Sequence, residues 1–116
     1  MESQNGLWED IKARERAQKG EIKLLDGIAR GLPPMLRALK LQKRAARVGF
    51  DWPEIDQVFD KMKEEAKELA VELASENKDQ TRIQDEVGDL LFVAINLARK
   101  AGVDPETALQ NCNLKF

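Results

Sequence analysis

The stretch KMKEEAKELAVELASENKDQTRIQDEVGD, residues 61–89, carries two acidic clusters about one helix apart. Glu64, Glu65, Glu68 and Glu72 follow Lys61 in the first, and Glu86 and Asp89 form the second. At about 3.6 residues per turn, positions three and four apart share a helix face. Glu65 and Glu68 therefore project together, and so do Glu86 and Asp89. The 17 residues between Glu68 and Glu86 are enough to finish one helix, turn and start another. If the two helices pack antiparallel, four carboxylates converge: Glu65, Glu68, Glu86 and Asp89. Such a group repels itself unless a cation sits within it, and oxygen ligands suit a hard divalent ion.

The apolar residues around these acids set the fold class. Ile55, Val58, Phe59, Met62, Ala66, Leu69 and Leu73 make one stripe at helical spacing. Glu65 lies nearest that stripe, and Glu64 points further out. Residues 90–98 are apolar almost all round, which predicts a helix buried on most sides. Asp89 sits directly before that run, where an unpaired carboxylate is costly. For Glu64, Glu72 and Glu76, a solvated face is the simpler reading. The expectation is an all-α fold: a helical bundle whose four-helix core is completed by dimerisation, because one short chain hardly covers so apolar a helix.

Length and composition agree with that class. The 116 residues make a single domain, 1–116, with a modest core. Net charge is −2, unevenly placed: residues 1–50 carry 11 Lys/Arg and 6 Asp/Glu, and residues 51–116 carry 8 and 15. A basic half and an acidic half suit a site that handles both cations and phosphates. The chain has no histidine and one cysteine, Cys112. Histidine general acid/base chemistry, Cys/His zinc sites and an intrachain disulfide are thereby excluded. Any metal must be held by oxygen, which favours Mg²⁺, with Mn²⁺ as a substitute. There is no signal-like segment and no run long enough to span a bilayer, so the expected location is the cytoplasm, without a membrane.

Local signals place the helices. A short charged helix is expected over about 8–18, broken at Gly20, followed by an irregular segment around Gly27 and Gly31. Pro33-Pro34 starts a helix over 34–47 that stops near Gly49. Met35, Leu39 and Ala46 mark its apolar face, and Arg37, Lys40, Lys43, Arg44 and Arg47 lie opposite. Those cations read as a solvated face, a phosphate-attracting face or a subunit contact. The acidic total and the lack of interleaved aromatics argue against nucleic acid. Asp51-Trp52-Pro53-Glu54 reads as a cap with Pro in the first turn of a helix over 53–75, with Trp52 as a core anchor. A polar loop leads into a helix over 81–101 closed by Gly102. Asp104-Pro105-Glu106 opens a last helix over 105–113.

The motif Lys61-x-x-Glu64-Glu65-x-x-Glu68, then Glu86-x-x-Asp89, resembles the EExxE…ExxD signature of MazG-type nucleoside triphosphate pyrophosphohydrolases, members of an all-α pyrophosphatase superfamily. The segment 40–52, the segment 86–92 and the closing Asn113-Leu114-Lys115-Phe116 resemble the same family. The resemblance implies a Mg²⁺-dependent enzyme that hydrolyses (d)NTP to (d)NMP and pyrophosphate, in nucleotide-pool housecleaning. It puts the family's metal ligands at Glu65, Glu68, Glu86 and Asp89. Glu65 and Glu64 are then the catalytic pair, with Glu64 orienting or deprotonating the attacking water. Arg82 and Lys115 resemble phosphate-binding positions. Lys61 either joins them or pairs with Glu65 one turn on. Asn96, a polar residue in an apolar run, either contacts nucleotide or caps a neighbour.

Two other readings stand beside this one. A dUTPase or a phosphoribosyl-ATP pyrophosphohydrolase belongs to the same superfamily. A non-catalytic helical dimerisation module would use the basic and acidic helices to zip subunits together. Expected partners are the nucleoside triphosphate and further copies of the chain, as a homodimer or a dimer of dimers. The acid motif alone does not decide which phosphoanhydride bond breaks.

Overall fold

A computed structural model describes residues 27–116, so the helix expected over 8–18 and the start of the irregular segment lie outside the described residues. Those described form four helices and no strand: α1, Pro34–Arg47; α2, Ile55–Ala74; α3, Gln80–Lys100; α4, Pro105–Lys115. The all-α expectation holds. α1 begins where Pro occupies the first turn and its missing N–H costs nothing. The chain turns out of α1 at Gly49 and out of α3 at Gly102, with φ of 89° and 74° that favour a residue without Cβ. Asp79 caps α3 by accepting from the N–H groups of Thr81 (3.0 Å) and Arg82 (3.4 Å). Asp104 caps α4 through Thr107, as its sequence suggests.

α2 and α3 form an antiparallel hairpin across a five-residue turn, and this is the dominant packing of the described chain. Contacts climb α2 as they descend α3. Glu72 meets Arg82, Glu65 and Glu68 meet Glu86, and Val58 packs with Val93. Trp52, Val58 and Val93 are the buried centre, with Met62 and Leu97 against them. Each fully buried valine contributes about 1.5–3 kcal/mol. Trp52 is thus the core anchor expected of it. α1 crosses the hairpin on the α3 side, where the buried Gln42 donates from Nε2 to the Phe92 carbonyl at 2.9 Å. α4 packs on α1 and α3.

Two expectations are corrected. The helix over 53–75 begins two residues later, at Ile55, with Glu54 as its cap: the Glu54 N–H donates to Gln57 Oε1 at 3.1 Å. Asp51 is not that cap. It accepts from Arg99 at both carboxylate oxygens, 2.5 Å from Nη2 and 3.3 Å from Nη1, with Lys100 Nζ at 3.4 Å. The cap signal is local, whereas the partner that claims Asp51 lies 48 residues away. The second correction concerns α3. It is buried along one face only: Ile83, Val93 and Asn96 are covered, but Leu91 remains 60% exposed. No element among the described residues covers the other face. There Pro34, Met35, Leu91, Ile95, Pro105 and Leu109 line an apolar groove of about 720 Å³.

Burial alone would raise the Asp51 carboxyl, but the hydrogen bonds and charges of Arg99 and Lys100 outweigh it and hold the pKa below the usual carboxylate value. A lowered folded-state pKa gives stability that is present above the unfolded value and lost as pH falls through the folded one. Asp51→Asn should therefore cost about 2 kcal/mol near pH 7. The gap to wild type should close in acid, below the ordinary aspartate value of 3.8. Urea melts of both proteins at stepped pH check this.

Candidate functional site

The α2–α3 hairpin brings three of the expected acids together. Glu65, Glu68 and Glu86 each place a carboxylate oxygen within 4.8 Å of the others. The helical spacing does this directly, since Glu65 and Glu68 lie on one side of α2 and Glu86 comes level with them on α3. Their surroundings differ: Glu65 is fully buried, Glu86 half-buried and Glu68 exposed. Asp89 follows one turn after Glu86, half-buried and outside the tight group, near enough for its charge to act on Glu86.

The cluster is electrostatically loaded. Burial, then the charges of Glu65 and Glu86, push the Glu68 carboxyl above its usual value, with Lys61 opposing. Burial, then the charges of Glu65 and Asp89, push Glu86 up, with the side-chain interaction with Glu68 opposing. At an effective dielectric near 20, two carboxylates at such a separation repel by about 3 kcal/mol. Solvent screens the exposed Glu68 more. Both oxygens of Glu65 and Oε2 of Glu86 are buried with no hydrogen-bond partner. Buried, unbonded carboxylate oxygens facing one another are what a divalent cation would satisfy. The all-oxygen donor set fits Mg²⁺ or Mn²⁺.

The other expected residues are placed as follows. Lys61 is fully buried and lies 2.9 Å from Glu65 Oε1 and 3.4 Å from Glu64 Oε1. Of its two readings, the structure favours pairing with Glu65. Glu64 is partly exposed at the rim, with a side-chain exposure of 37%. Arg82 is 70% exposed and reaches Glu72 across the hairpin at 3.6 Å. Asn96 is buried, and its Oδ1 accepts from Arg99 Nε (3.1 Å) and Nη2 (2.7 Å), bracing the arginine that holds Asp51. Lys115 is exposed in the last turn of α4.

Three contributors escaped sequence reasoning. Gln42, in a run of cations, carries no sign of its burial. Arg99 and Lys100 read as ordinary basic residues at a helix C-terminus. The one available signal was Asn96 three residues before Arg99, a spacing that puts both on one face.

Residues 34–115 match the phosphoribosyl-ATP pyrophosphohydrolase family. Two nucleoside triphosphate pyrophosphohydrolases are similar over most of the chain. The one from Escherichia coli K12 is 50% identical over 109 residues, covering 94% of this chain and 41% of its own length. The other, from Thermotoga maritima and named as a MazG pyrophosphohydrolase/pyrophosphatase, is 42% identical over 114 residues, covering 94% and 40%. A Bacillus subtilis protein, the uncharacterized YabN, is 43% identical over 109 residues, or 22% of its length. The chain thus spans about two fifths of the first two relatives.

Proposed function

The chain belongs to the phosphoribosyl-ATP pyrophosphohydrolase family, and from that premise we propose that it is a Mg²⁺-dependent nucleoside triphosphate pyrophosphohydrolase. It converts a (d)NTP to the (d)NMP and pyrophosphate, as a nucleotide-pool housecleaning enzyme of the cytoplasm. The observation that carries this reading is the convergence of Glu65, Glu68 and Glu86 at the hairpin, in the positions of the acidic signature. The similarity to two proteins named as nucleoside triphosphate pyrophosphohydrolases supports the reaction class. No helix of the described residues is long and apolar enough to cross a membrane.

Glu65, Glu68 and Glu86, with Asp89 beside them, would hold the divalent ion. A bound Mg²⁺ would neutralise phosphate charge and template in-line attack. Glu64, at the partly exposed rim, orients the attacking water and accepts its proton. Arg82 and Lys115 hold the β- and γ-phosphates of the leaving pyrophosphate, which puts the acids at the α-phosphate. Lys61 and Asn96 support the site from within, through Glu65 and through Arg99, rather than binding nucleotide themselves. The apolar groove along α3 favours a homo-oligomer over a free monomer. A homodimer would seal the groove with the same face of a second copy and complete a four-helix core.

Hydrolysis in ¹⁸O-labelled water, across a panel of nucleoside triphosphates and phosphoribosyl-ATP, tests the chemistry. The expected products are monophosphate carrying the label and unlabelled pyrophosphate, formed only with Mg²⁺ or Mn²⁺ and lost in Asp89→Ala. Orthophosphate with a diphosphate would mean a different reaction, and no product at all would favour the dimerisation module. Activity on phosphoribosyl-ATP alone would move the substrate and keep the bond. Separately, sedimentation at micromolar concentration should give a dimer or tetramer, and a stable monomer would contradict the proposed assembly.

A further inference from the structure

Lys61 has no exposed side-chain surface, and neither does Glu65. Burying an ammonium and a carboxylate costs several kcal/mol per ion before any pairing. Lysine normally offsets that cost by spending its three donors on well-aligned acceptors. Here Nζ lies 2.9 Å from Glu65 Oε1 and 3.4 Å from Glu64 Oε1. Yet neither Nζ nor either oxygen of Glu65 makes an aligned hydrogen bond. The pair is held by charge rather than by directional bonds, and such a contact can be exchanged without breaking a network.

Its position gives that exchange a meaning. Glu65 is the buried member of the group that also contains Glu68 and Glu86. The charge of Lys61 reaches past Glu65 to Glu68. Three converging carboxylates with no divalent ion need a positive charge if the hairpin is to stay closed, and Lys61 supplies it from inside α2. On the reading of this cluster as a divalent-ion site, we propose that Lys61 is its resident counter-cation. Lys61 neutralises Glu65 when the ion is absent and yields Glu65 to the ion when it binds. It is a positioning residue, neither a ligand nor a phosphate contact. Its charge keeps the metal-free hairpin folded, and it weakens ion affinity because ion and ammonium compete for one carboxylate.

An ordinary buried ion pair makes a different forecast. Its loss would destabilise the protein and leave ion affinity unchanged or, through displaced ligands, weaker. Competition requires that losing the lysine charge destabilise the metal-free protein and tighten ion binding. Calorimetric titration with Mn²⁺ alone, on wild type, Lys61→Met and Lys61→Gln, separates the two, with thermal melts in EDTA and in saturating Mn²⁺. Both variants should melt below wild type in EDTA, gain more from Mn²⁺, and bind it on the order of tenfold tighter. A variant unfolded in EDTA but folded in Mn²⁺ supports the proposal equally. Variants that bind Mn²⁺ no tighter than wild type, or stay unfolded in both conditions, overturn the proposal and leave the ion-site reading standing. A folded wild type that takes up no Mn²⁺ removes both.

Discussion

Like-charge repulsion at the α2–α3 hairpin is the constraint around which the described structure is arranged. Glu65, Glu68 and Glu86 place oxygens within 4.8 Å of one another, and burial shields Glu65 from the water that screens Glu68. Such a group survives only if the surrounding packing holds the helices together against it. Val58 and Val93 lock the hairpin below the acids, and Trp52 closes that core. Arg99, braced by Asn96, ties the segment before α2 back onto α3 through Asp51. The apolar layer, about two turns from the acids, and the Asp51–Arg99 clasp, nearly four turns away, are thus the scaffold that tolerates a destabilised polar site. Storing unfavourable charge at one place and offsetting it elsewhere is a common pattern at functional sites.

The charges of the described residues are unevenly placed. Glu65, Glu68 and Glu86 gather between α2 and the start of α3, while Lys40, Lys43 and Arg47 of α1 are exposed. Lys40, Lys43, Arg44 and Arg47 line a separate concavity there with Gly27 and Ile28. Leu91, Ile95 and Leu109 line the apolar groove, with Leu91 and Leu109 exposed. On the proposed function, α3 would serve both catalysis and self-association: its Glu86 side meets α2, and no described element covers Leu91.

Much of this was legible in the sequence, for physical reasons that can be named. Helix boundaries at Pro34, Gly49, Gly102 and Asp104 rest on backbone chemistry that acts within a few residues. The meeting of Glu65, Glu68 and Glu86 follows from helical spacing plus a turn too short for anything but an antiparallel return. What sequence could not supply were choices made at a distance. Asp51 precedes a proline-containing turn and looks like a cap, but its carboxylate pairs with a guanidinium 48 residues on. Lys61 was legible as a partner of Glu65 one turn on or as a phosphate contact, but its full burial was not. The apolarity of α3 said that one short chain would hardly cover it, but not which residues would stay open, Leu91 among them.

On the proposed function, Glu65, Glu68 and Glu86 bind divalent metal between α2 and α3. A crystal grown with Mn²⁺ and recorded at the manganese absorption edge tests it without reference to activity. An anomalous peak is expected among these three carboxylates, with oxygen ligands only and Asp89 drawn toward it. A peak elsewhere, or none at saturating Mn²⁺ with the three carboxylates still together, would contradict the claim.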